Sequence, residues 1–234
     1  MSLWKKCLGI LYPQTCCFCG KVSKNNICSK CAKKVTYIQE PICKKCGKPI
    51  RYEEEGYCHD CSEHDLAYES GKSVWLHKGP VRWSVYQFKY HNRRIYGEFY
   101  AQEMYRLYGE TLKLWGVTRI VPVPLHAKRK RKRGYNQAGI LAKHLSRMSG
   151  IPVDTKGVVR VRDTMPQKRL NQKDRKKNLK EAFAVTRHWK PTKCVLLIDD
   201  IYTTGNTIDA VARLLLDKGV EKVCFLTISI GQGF

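Results

Sequence analysis

The chain contains 234 residues, of which 43% are hydrophobic, which is enough for the core of one α/β domain and leaves room for a smaller module. Its 44 Lys and Arg outnumber its 20 Asp and Glu and give a formal net charge of +24, which predicts attraction to polyanions such as phosphorylated metabolites or nucleic acid. No run approaches the roughly 18 apolar residues of a membrane helix and the start has no small-residue cleavage site, so we expect a cytosolic protein without a transmembrane segment.

The amino-terminal part of the chain is rich in cysteine. Eight of the 12 cysteines form four C-x-x-C pairs, which are Cys16/Cys19, Cys28/Cys31, Cys43/Cys46 and Cys58/Cys61. Two thiolates three residues apart at a tight turn can bind one ion, and two such knuckles complete a tetrahedral zinc site. Gly20 and Gly47 each follow the second cysteine of a pair and suit a turn that needs a positive φ. Because four thiolates leave no open coordination position, the pattern predicts structural zinc.

The sequence leaves open which knuckles share an ion. Sequential pairing is the simplest arrangement, with one site from the first two pairs and a second site from the last two, but interleaved pairing is an alternative. Disulfides are the competing interpretation, although they belong to oxidising compartments, and redox-active C-x-x-C motifs usually lie in a βαβ context that this segment lacks. We therefore expect a double zinc-ribbon-like module over residues 1–65 and an α/β domain over residues 66–234.

The second part of the chain begins with a predicted strand and two helices. Residues 73–79 have strand character, residues 81–90 are helical after Pro80, and helical spacing resumes over about residues 95–115. The many aromatic residues of this last helix could indicate base stacking, but their spacing favours core packing.

A short strand closed by proline, over residues 119–124, precedes a strongly basic segment. All six residues from 128 to 133 are Lys or Arg, and apolar side chains at helical spacing follow over residues 138–148. Between His126 and Lys180 there are 18 basic and 3 acidic residues. We expect the basic run to form a loop at the carboxyl edge of the sheet, where it would bind either a pyrophosphate group or a nucleic-acid backbone.

Residues 195–207 combine a buried strand with a polar, glycine-containing turn. Residues 195–198 are all apolar, as in a strand that is buried on both faces of a parallel sheet. Asp199 and Asp200 end this run, and a helical pattern follows the turn. The turn is formed by Thr203, Thr204, Gly205, Asn206 and Thr207. Its N–H groups and hydroxyls suit a phosphate, while the two carboxylates suit a sugar diol or Mg²⁺, so the predicted ligand is a ribose phosphate.

Two further segments complete the predicted domain. Residues 161–180 are polar and basic without a clear period, which indicates a loop. Gly219 is placed to end the helix as a C-cap, and residues 222–230 alternate and β-branch like a final strand.

The stretch from 195 to 207 resembles the signature with which type I phosphoribosyltransferases bind phosphoribosyl pyrophosphate (PRPP). The shared order is four hydrophobic residues, two acidic residues and a T-T-G-x-T loop. The resemblance implies that Asp199 and Asp200 face the ribose hydroxyls of PRPP bound with Mg²⁺, and that residues 203–207 surround its 5-phosphate. It also implies a hood formed by the loop at 161–180, with cationic side chains from Lys168, Arg169 and Arg175, although a solvated loop is an equal alternative.

Two other motifs, together with the zinc knuckles, make nearly the whole chain similar to the ComF family of competence proteins. The first is RGYNQA after VPVPL, with matches at Arg133, Gly134, Asn136 and Gln137 and with Tyr135 where Phe is also common. The second is QKRLNQKDRKKNLKEAF, with matches at Gln167, Leu170, Arg175, Asn178, Ala182 and Phe183. Members of this family help transforming DNA to enter the bacterial cytoplasm.

The resemblance implies a mostly parallel α/β sheet of the type I phosphoribosyltransferase kind with an amino-terminal zinc module. The implied function is DNA uptake, with binding of PRPP and Mg²⁺ and of single-stranded DNA, and with a competence helicase and a DNA channel as partners at the inner face of the membrane. Arg133, Lys168 and Arg169 are the candidate catalytic residues. The alternative is a metabolic phosphoribosyltransferase that salvages bases or nucleotides, but no segment indicates the acceptor half of such a site. Whether transfer takes place stays open.

Overall fold

The computed structural model describes residues 14–162 and 181–232. The cysteine-rich part contains helix α1 (Ser29–Ala32), a 3-10 turn (Glu53–Glu55) and helix α2 (His59–Glu63). The following elements are, in chain order, β1 (Ser70–Leu76), α3 (Gly79–Tyr90), α4 (Tyr96–Leu114), β2 (Arg119–Pro122), α5 (Ala127–Arg133), α6 (Gln137–Ser149), β3 (Val158–Arg160), β4 (Phe183–Val185), β5 (Cys194–Tyr202), α7 (Asn206–Leu216) and β6 (Lys222–Ile230). Among these residues, no helix has both the length and the apolar character that a membrane span requires.

Four strands form a parallel sheet in the order β1-β6-β5-β2, which confirms the predicted α/β class. The two central strands are buried along almost their whole length, because neighbours pair with both of their edges and other elements cover both faces. Strand β5 is longer than the four-residue prediction. Its pairing with β6 continues through Asp199 opposite Thr227 to Tyr202 opposite Ile230, so the acidic pair lies inside the strand rather than after it.

The two faces of the sheet bury separate cores. Along β5, Leu196 and Ile198 point to a core that contains the buried faces of α3, α4 and α6. Val195 and Leu197 point to the opposite core, which α7 covers with its buried face. This alternation follows from the two-residue period of a strand. Consecutive residues at the carboxyl end of β5 therefore meet different surroundings.

The cysteine-rich part covers the outer edge of β1 and reaches both cores. Ile38 N–H donates to Val74 O at 3.1 Å and Leu76 N–H donates to Thr36 O at 2.9 Å, so the connection between the two knuckle pairs adds antiparallel pairing to the edge strand. The cysteines of the first two knuckles, at 16, 19, 28 and 31, pack in or against the core of α3 and α4. Those of the last two, at 43, 46, 58 and 61, pack in or against the core of α7. An edge that would otherwise offer unpaired backbone groups is thereby covered.

The basic run predicted as a loop is instead the helix α5. Lys and Arg are good helix formers, so a run of six favours a helix wherever both ends can be capped. The His126 side chain accepts a hydrogen bond from Lys128 N–H, and Gly134, at φ +78°, donates its N–H to Lys130 O at 2.8 Å. The cations of the last turn also lie at the negative end of the helix dipole. Local capping thus explains why the expectation of a loop was wrong.

Strands β3 and β4 form a separate antiparallel pair that the sequence analysis did not predict. Val158 pairs with Val185 and Arg160 pairs with Phe183. Each strand has only three residues, which is too short for a two-residue period to stand out from its surroundings.

Candidate functional site

The two carboxylates at the end of β5 have different partners. Asp200 lies on the face of Leu196 and Ile198, and its Oδ1 forms an ion pair with Lys89 Nζ of α3 at 2.8 Å. Both side chains of this pair are largely buried, with 17% exposure for Lys89 and 12% for Asp200. Since a buried carboxylate needs a compensating charge, Lys89 accounts for the presence of Asp200 at this depth.

Asp199 is less well compensated. Its Oδ1 accepts a hydrogen bond from Asp200 N–H at 2.8 Å. Burial and the neighbouring charge of Asp200 nevertheless raise the pKa of Asp199 to about 7, and the charges of Lys89 and Arg160 offset this rise only in part. A cation, or hydroxyl groups that donate hydrogen bonds, would favour its ionised form.

The turn after β5 has the geometry of an anion site. Thr203 and Thr204 are exposed, and Gly205 stands at φ +77° directly before the first residue of α7. A Cβ on Gly205 would lie only 2.5 Å from the Tyr202 hydroxyl, so both the φ value and the close approach require glycine. The N-terminus of an 11-residue helix supplies backbone N–H groups and the positive end of its dipole. The turn can therefore hold a phosphate beside the acidic pair.

The last two knuckles, over residues 43–61, include a lysine that contacts this turn. Lys48 follows Gly47, its side chain is 5% exposed, and its Nζ lies 2.5 Å from Asp60 Oδ2 and 3.3 Å from Thr203 O. Tyr202, directly before the turn, shares a 2.6 Å hydrogen bond between its hydroxyl and that of Tyr68. Lys48 was not among the predicted site residues, because a lysine next to a knuckle glycine has no distinctive local pattern. Only the tertiary structure brings it to residue 203.

Arg133 lies at the end of α5 and contacts α3. Its Nη2 donates to the Tyr90 hydroxyl at 3.1 Å, and its guanidinium lies 4.9 Å from the centre of the Tyr90 ring. Its Nη1 donates to Gln137 Oε1 at 3.3 Å. Because Tyr90 is the neighbour of Lys89 in the chain, Arg133 is held on the helix that supplies the partner of Asp200. No contact between Arg133 and the acidic pair occurs among the described residues.

A cationic cleft of about 700 Å³ adjoins α5 at the carboxyl end of β2. Its basic lining residues are Arg94, Lys130, Lys143, Lys156 and Arg160. The other two candidate catalytic residues, Lys168 and Arg169, lie outside the described residues, as does Arg175.

The eight knuckle cysteines form two groups of four, Cys16, Cys19, Cys28 and Cys31, and Cys43, Cys46, Cys58 and Cys61. The grouping is sequential, and within each group all sulfur atoms lie within 4.8 Å of one another. Cys19 Sγ and Cys28 Sγ are 3.9 Å apart and Cys46 Sγ and Cys58 Sγ are 3.5 Å apart. Tetrahedral zinc with Zn–S bonds of about 2.3 Å requires sulfur separations of about 3.8 Å, so both groups fit zinc.

Backbone geometry also suits these thiolates. Gly20 and Gly47 have φ values of +73° and +71°, as the spacing predicts. In the first group, Phe18 N–H and Cys28 N–H both donate to Cys16 Sγ at 3.4 Å. Such N–H donors stabilise a charged sulfur, as expected for metal ligands with a structural role.

Two family models match separate parts of the chain. Residues 7–62 match the double zinc ribbon domain and residues 131–229 match the phosphoribosyl transferase domain. The fold and the site therefore define a phosphoribosyltransferase-type α/β domain that carries a double zinc ribbon.

Three individual proteins are similar to part of this chain. Competence protein F of Haemophilus influenzae is 45% identical over 106 residues, which cover 44% of this chain and 46% of that protein. DNA utilization protein YhgH of Escherichia coli K12 is 39% identical over 110 residues, or 45% of this chain and 46% of the relative. Competence protein ComFC of Bacillus subtilis is 37% identical over 101 residues, or 43% of this chain and 39% of the relative. The chain thus spans less than half the length of these relatives, and over the matched part it is similar to competence protein F, YhgH and ComFC.

We expect two zinc ions per chain after purification without a chelator, measured by elemental analysis. Replacing one ligand, Cys46→Ser, should remove one of them, because three thiolates no longer close the second tetrahedron. Cys224→Ala provides the matched control, since Cys224 is a buried cysteine of β6 outside both groups, and it should keep both ions. Fewer than one zinc ion per wild-type chain would contradict the assignment.

The raised pKa of Asp199 predicts a pH-dependent cost to folding. A carboxyl group whose folded pKa lies above its unfolded value of about 4 destabilises the protein increasingly between about pH 4 and pH 7, and by a constant amount above that range. Asp199→Asn should therefore raise the free energy of unfolding at pH 8 by roughly 1–3 kcal/mol, and the gain should vanish near pH 4.

Urea unfolding in buffer without PRPP or divalent metal measures this effect. Asp217→Asn removes one exposed carboxylate just after α7 and serves as the control for net charge. A gain of equal size at both pH values, or one that the control reproduces, would count against the raised pKa.

Proposed function

We propose that this protein acts in the uptake of transforming DNA and that its phosphoribosyltransferase-type site binds PRPP together with Mg²⁺. The observation that carries the proposal is the juxtaposition of Asp199 and Asp200 with a Thr/Gly turn and a helix N-terminus at the carboxyl end of one buried strand. The ribose hydroxyls of PRPP would donate to the two carboxylates, and its 5-phosphate would occupy the turn over residues 203–207.

The donor set fits Mg²⁺, because carboxylate oxygens are hard ligands and the raised pKa of Asp199 indicates a charge that lacks compensation. Bound with PRPP, the ion would neutralise charge on the pyrophosphate group. The cationic cleft beside α5 lies at the carboxyl end of β2, the neighbour of β5 in the sheet, and would receive the pyrophosphate group. Arg133, Lys168 and Arg169 remain our candidates for stabilising a leaving pyrophosphate.

The second part of the proposal is that the protein binds single-stranded DNA. Helix α5 presents Lys128, Lys130 and Lys132 to solvent at the same sheet edge as the acidic pair. The names of the relatives, competence protein and DNA utilization protein, favour DNA as the polyanion. We place the protein in the cytoplasm, at the inner face of the membrane when a competence helicase and a DNA channel are its partners.

Salvage of a base or nucleotide is the alternative function. The cleft of about 700 Å³ is large enough for a nucleobase and supports this alternative. Transfer of the phosphoribosyl group to a free base in a purified system would favour salvage, and binding of PRPP without such transfer would favour a role in DNA uptake.

Calorimetric titration with PRPP tests the first part of the proposal. We expect saturable binding that requires Mg²⁺. We expect Asp199→Asn with Asp200→Asn to weaken it at least tenfold, because the ribose hydroxyls exchange two charged carboxylate acceptors for weaker, neutral amide acceptors. The control variant Asp217→Asn should bind PRPP as the wild type does. Normal binding by the acidic-pair variant would show that the site is elsewhere.

The salt dependence of DNA binding tests the second part. Replacing Lys128, Lys130 and Lys132 by Gln should weaken binding of a single-stranded oligonucleotide. The plot of log K against log salt should also become shallower, with its negative slope reduced in magnitude by about 2, because three phosphate contacts are lost. The matched control replaces Lys113, Lys190 and Lys218, three exposed lysines near the amino ends of strands at the opposite edge of the sheet. Equal effects of the two triple variants would assign the binding to net charge alone.

A further inference from the structure

We propose that the exposed aromatic face of α3 is a stacking platform for the bases of single-stranded DNA, placed directly beside the acidic pair. This inference rests on the proposed DNA-binding function and specifies the surface and the chemistry that would read the strand. The platform consists of Trp83, Tyr86 and Tyr90.

The three rings lie on the solvent side of α3. Trp83 is 39% exposed and Tyr86 and Tyr90 are each 52% exposed, at helical spacings of three and four residues. The other face of the helix buries Val81, Ser84, Val85 and Phe88 in the core. Core packing therefore explains the buried face but not the row of exposed rings, and a row of exposed aromatic side chains indicates an interaction site.

All three rings line one pocket, two of them contact each other, and cations lie among them. The ring centres of Tyr86 and Tyr90 are 5.0 Å apart, and the Arg133 guanidinium lies 4.9 Å from the centre of Tyr90. Arg82 and Lys89 join the three rings in lining a pocket of about 540 Å³. Flat aromatic surfaces interspersed with cations are the chemistry that binds bases by stacking and a strand by its phosphates.

The location of the pocket connects the platform to the proposed PRPP site. Ile201, which follows the acidic pair in β5, lines the pocket, and so does Lys89, whose ammonium group is paired with Asp200. A base on the platform would thus lie next to the ribose side of the site. At the other end, Trp83 packs on Gly20 of the first zinc ribbon, where an added Cβ would lie 3.3 Å from the ring. The platform therefore extends from the first ribbon to α5.

The rings favour a single strand over a duplex. A base can stack on a protein ring only after it leaves its neighbours, and paired bases in a duplex present no free face. The cations around the rings, Arg82, Lys89 and Arg133, complement the negative charge of a phosphate backbone. An apolar peptide carries no charge for them to complement, so the surroundings of the rings favour a nucleic acid. The platform thus adds base contacts to the phosphate contacts of α5.

Fluorescence anisotropy with a labelled single-stranded oligonucleotide tests the platform. Tyr86→Ala with Tyr90→Ala should weaken binding about tenfold or more without changing the slope of log K against log salt, because stacking rather than charge is lost. Tyr86→Ala alone should lose part of the affinity while it leaves the contact between Arg133 and Tyr90 in place. Tyr86→Phe with Tyr90→Phe, which keeps both rings, should bind the strand nearly as tightly as the wild type. The matched control is Tyr52→Ala with Tyr57→Ala, two tyrosines of the second ribbon that are 66% and 50% exposed.

An abasic oligonucleotide of the same length distinguishes stacking from other causes. The wild type should bind it more weakly than the intact strand, and the Tyr86/Tyr90 variant should show a smaller difference between the two strands, because only Trp83 of the platform remains. Wild-type affinity of that variant for intact DNA, with dependence on the α5 lysines retained, would overturn the platform and leave the proposed DNA binding in place. Failure of the wild type to bind any single strand would overturn both. Unchanged thermal unfolding of the variants confirms that they are folded.

Discussion

The pairing and burial of β5 are the constraint on which the site depends. Neighbouring strands pair with both edges of β5 and packed cores cover both of its faces, so its first part accepts only apolar side chains. Charged groups can be placed only where the strand reaches the carboxyl edge of the sheet, where ligands bind in open α/β folds. Because adjacent residues face different cores, Asp199 and Asp200 emerge side by side with unlike surroundings, one under-compensated and the other paired with Lys89.

Elements on both faces of the sheet contact the residues at its carboxyl edge. On one face, α3 supplies Lys89 to the acidic pair and presents its exposed rings next to the same pair. On the other face, the second zinc ribbon supplies Lys48 to the carbonyl of Thr203, and Tyr68 fixes Tyr202 below the turn. The zinc module is therefore part of the architecture of the site, since it both covers the free edge of β1 and supports the turn that would hold the phosphate.

Features defined by a local pattern could be predicted from the sequence. The apolar run of β5, the C-x-x-C spacing and the glycines that follow Cys19 and Cys46 each carry their own signal, and the structure forms a parallel sheet and two groups of four cysteines. The basic run forms a helix instead of the predicted loop, because Lys and Arg favour a helix and both ends of the run are capped. The contacts of Lys48 with Thr203 and of Lys89 with Asp200 could not be predicted for a different reason: each joins residues more than a hundred positions apart in the chain, and no local pattern records such contacts.

The hydrogen bond from Lys48 to Thr203 has a thermodynamic consequence. Lys48 is held between the carboxylate of Asp60, within the second ribbon, and the backbone of the turn. Two sites that share a structural element are coupled reciprocally, so a ligand that orders the turn also stabilises the ribbon by the same free energy that the ribbon contributes to ligand binding. If the turn binds the phosphate proposed above, the occupied site would slow the loss of metal from the second cysteine group, and removal of that metal would in turn weaken ligand binding at the turn.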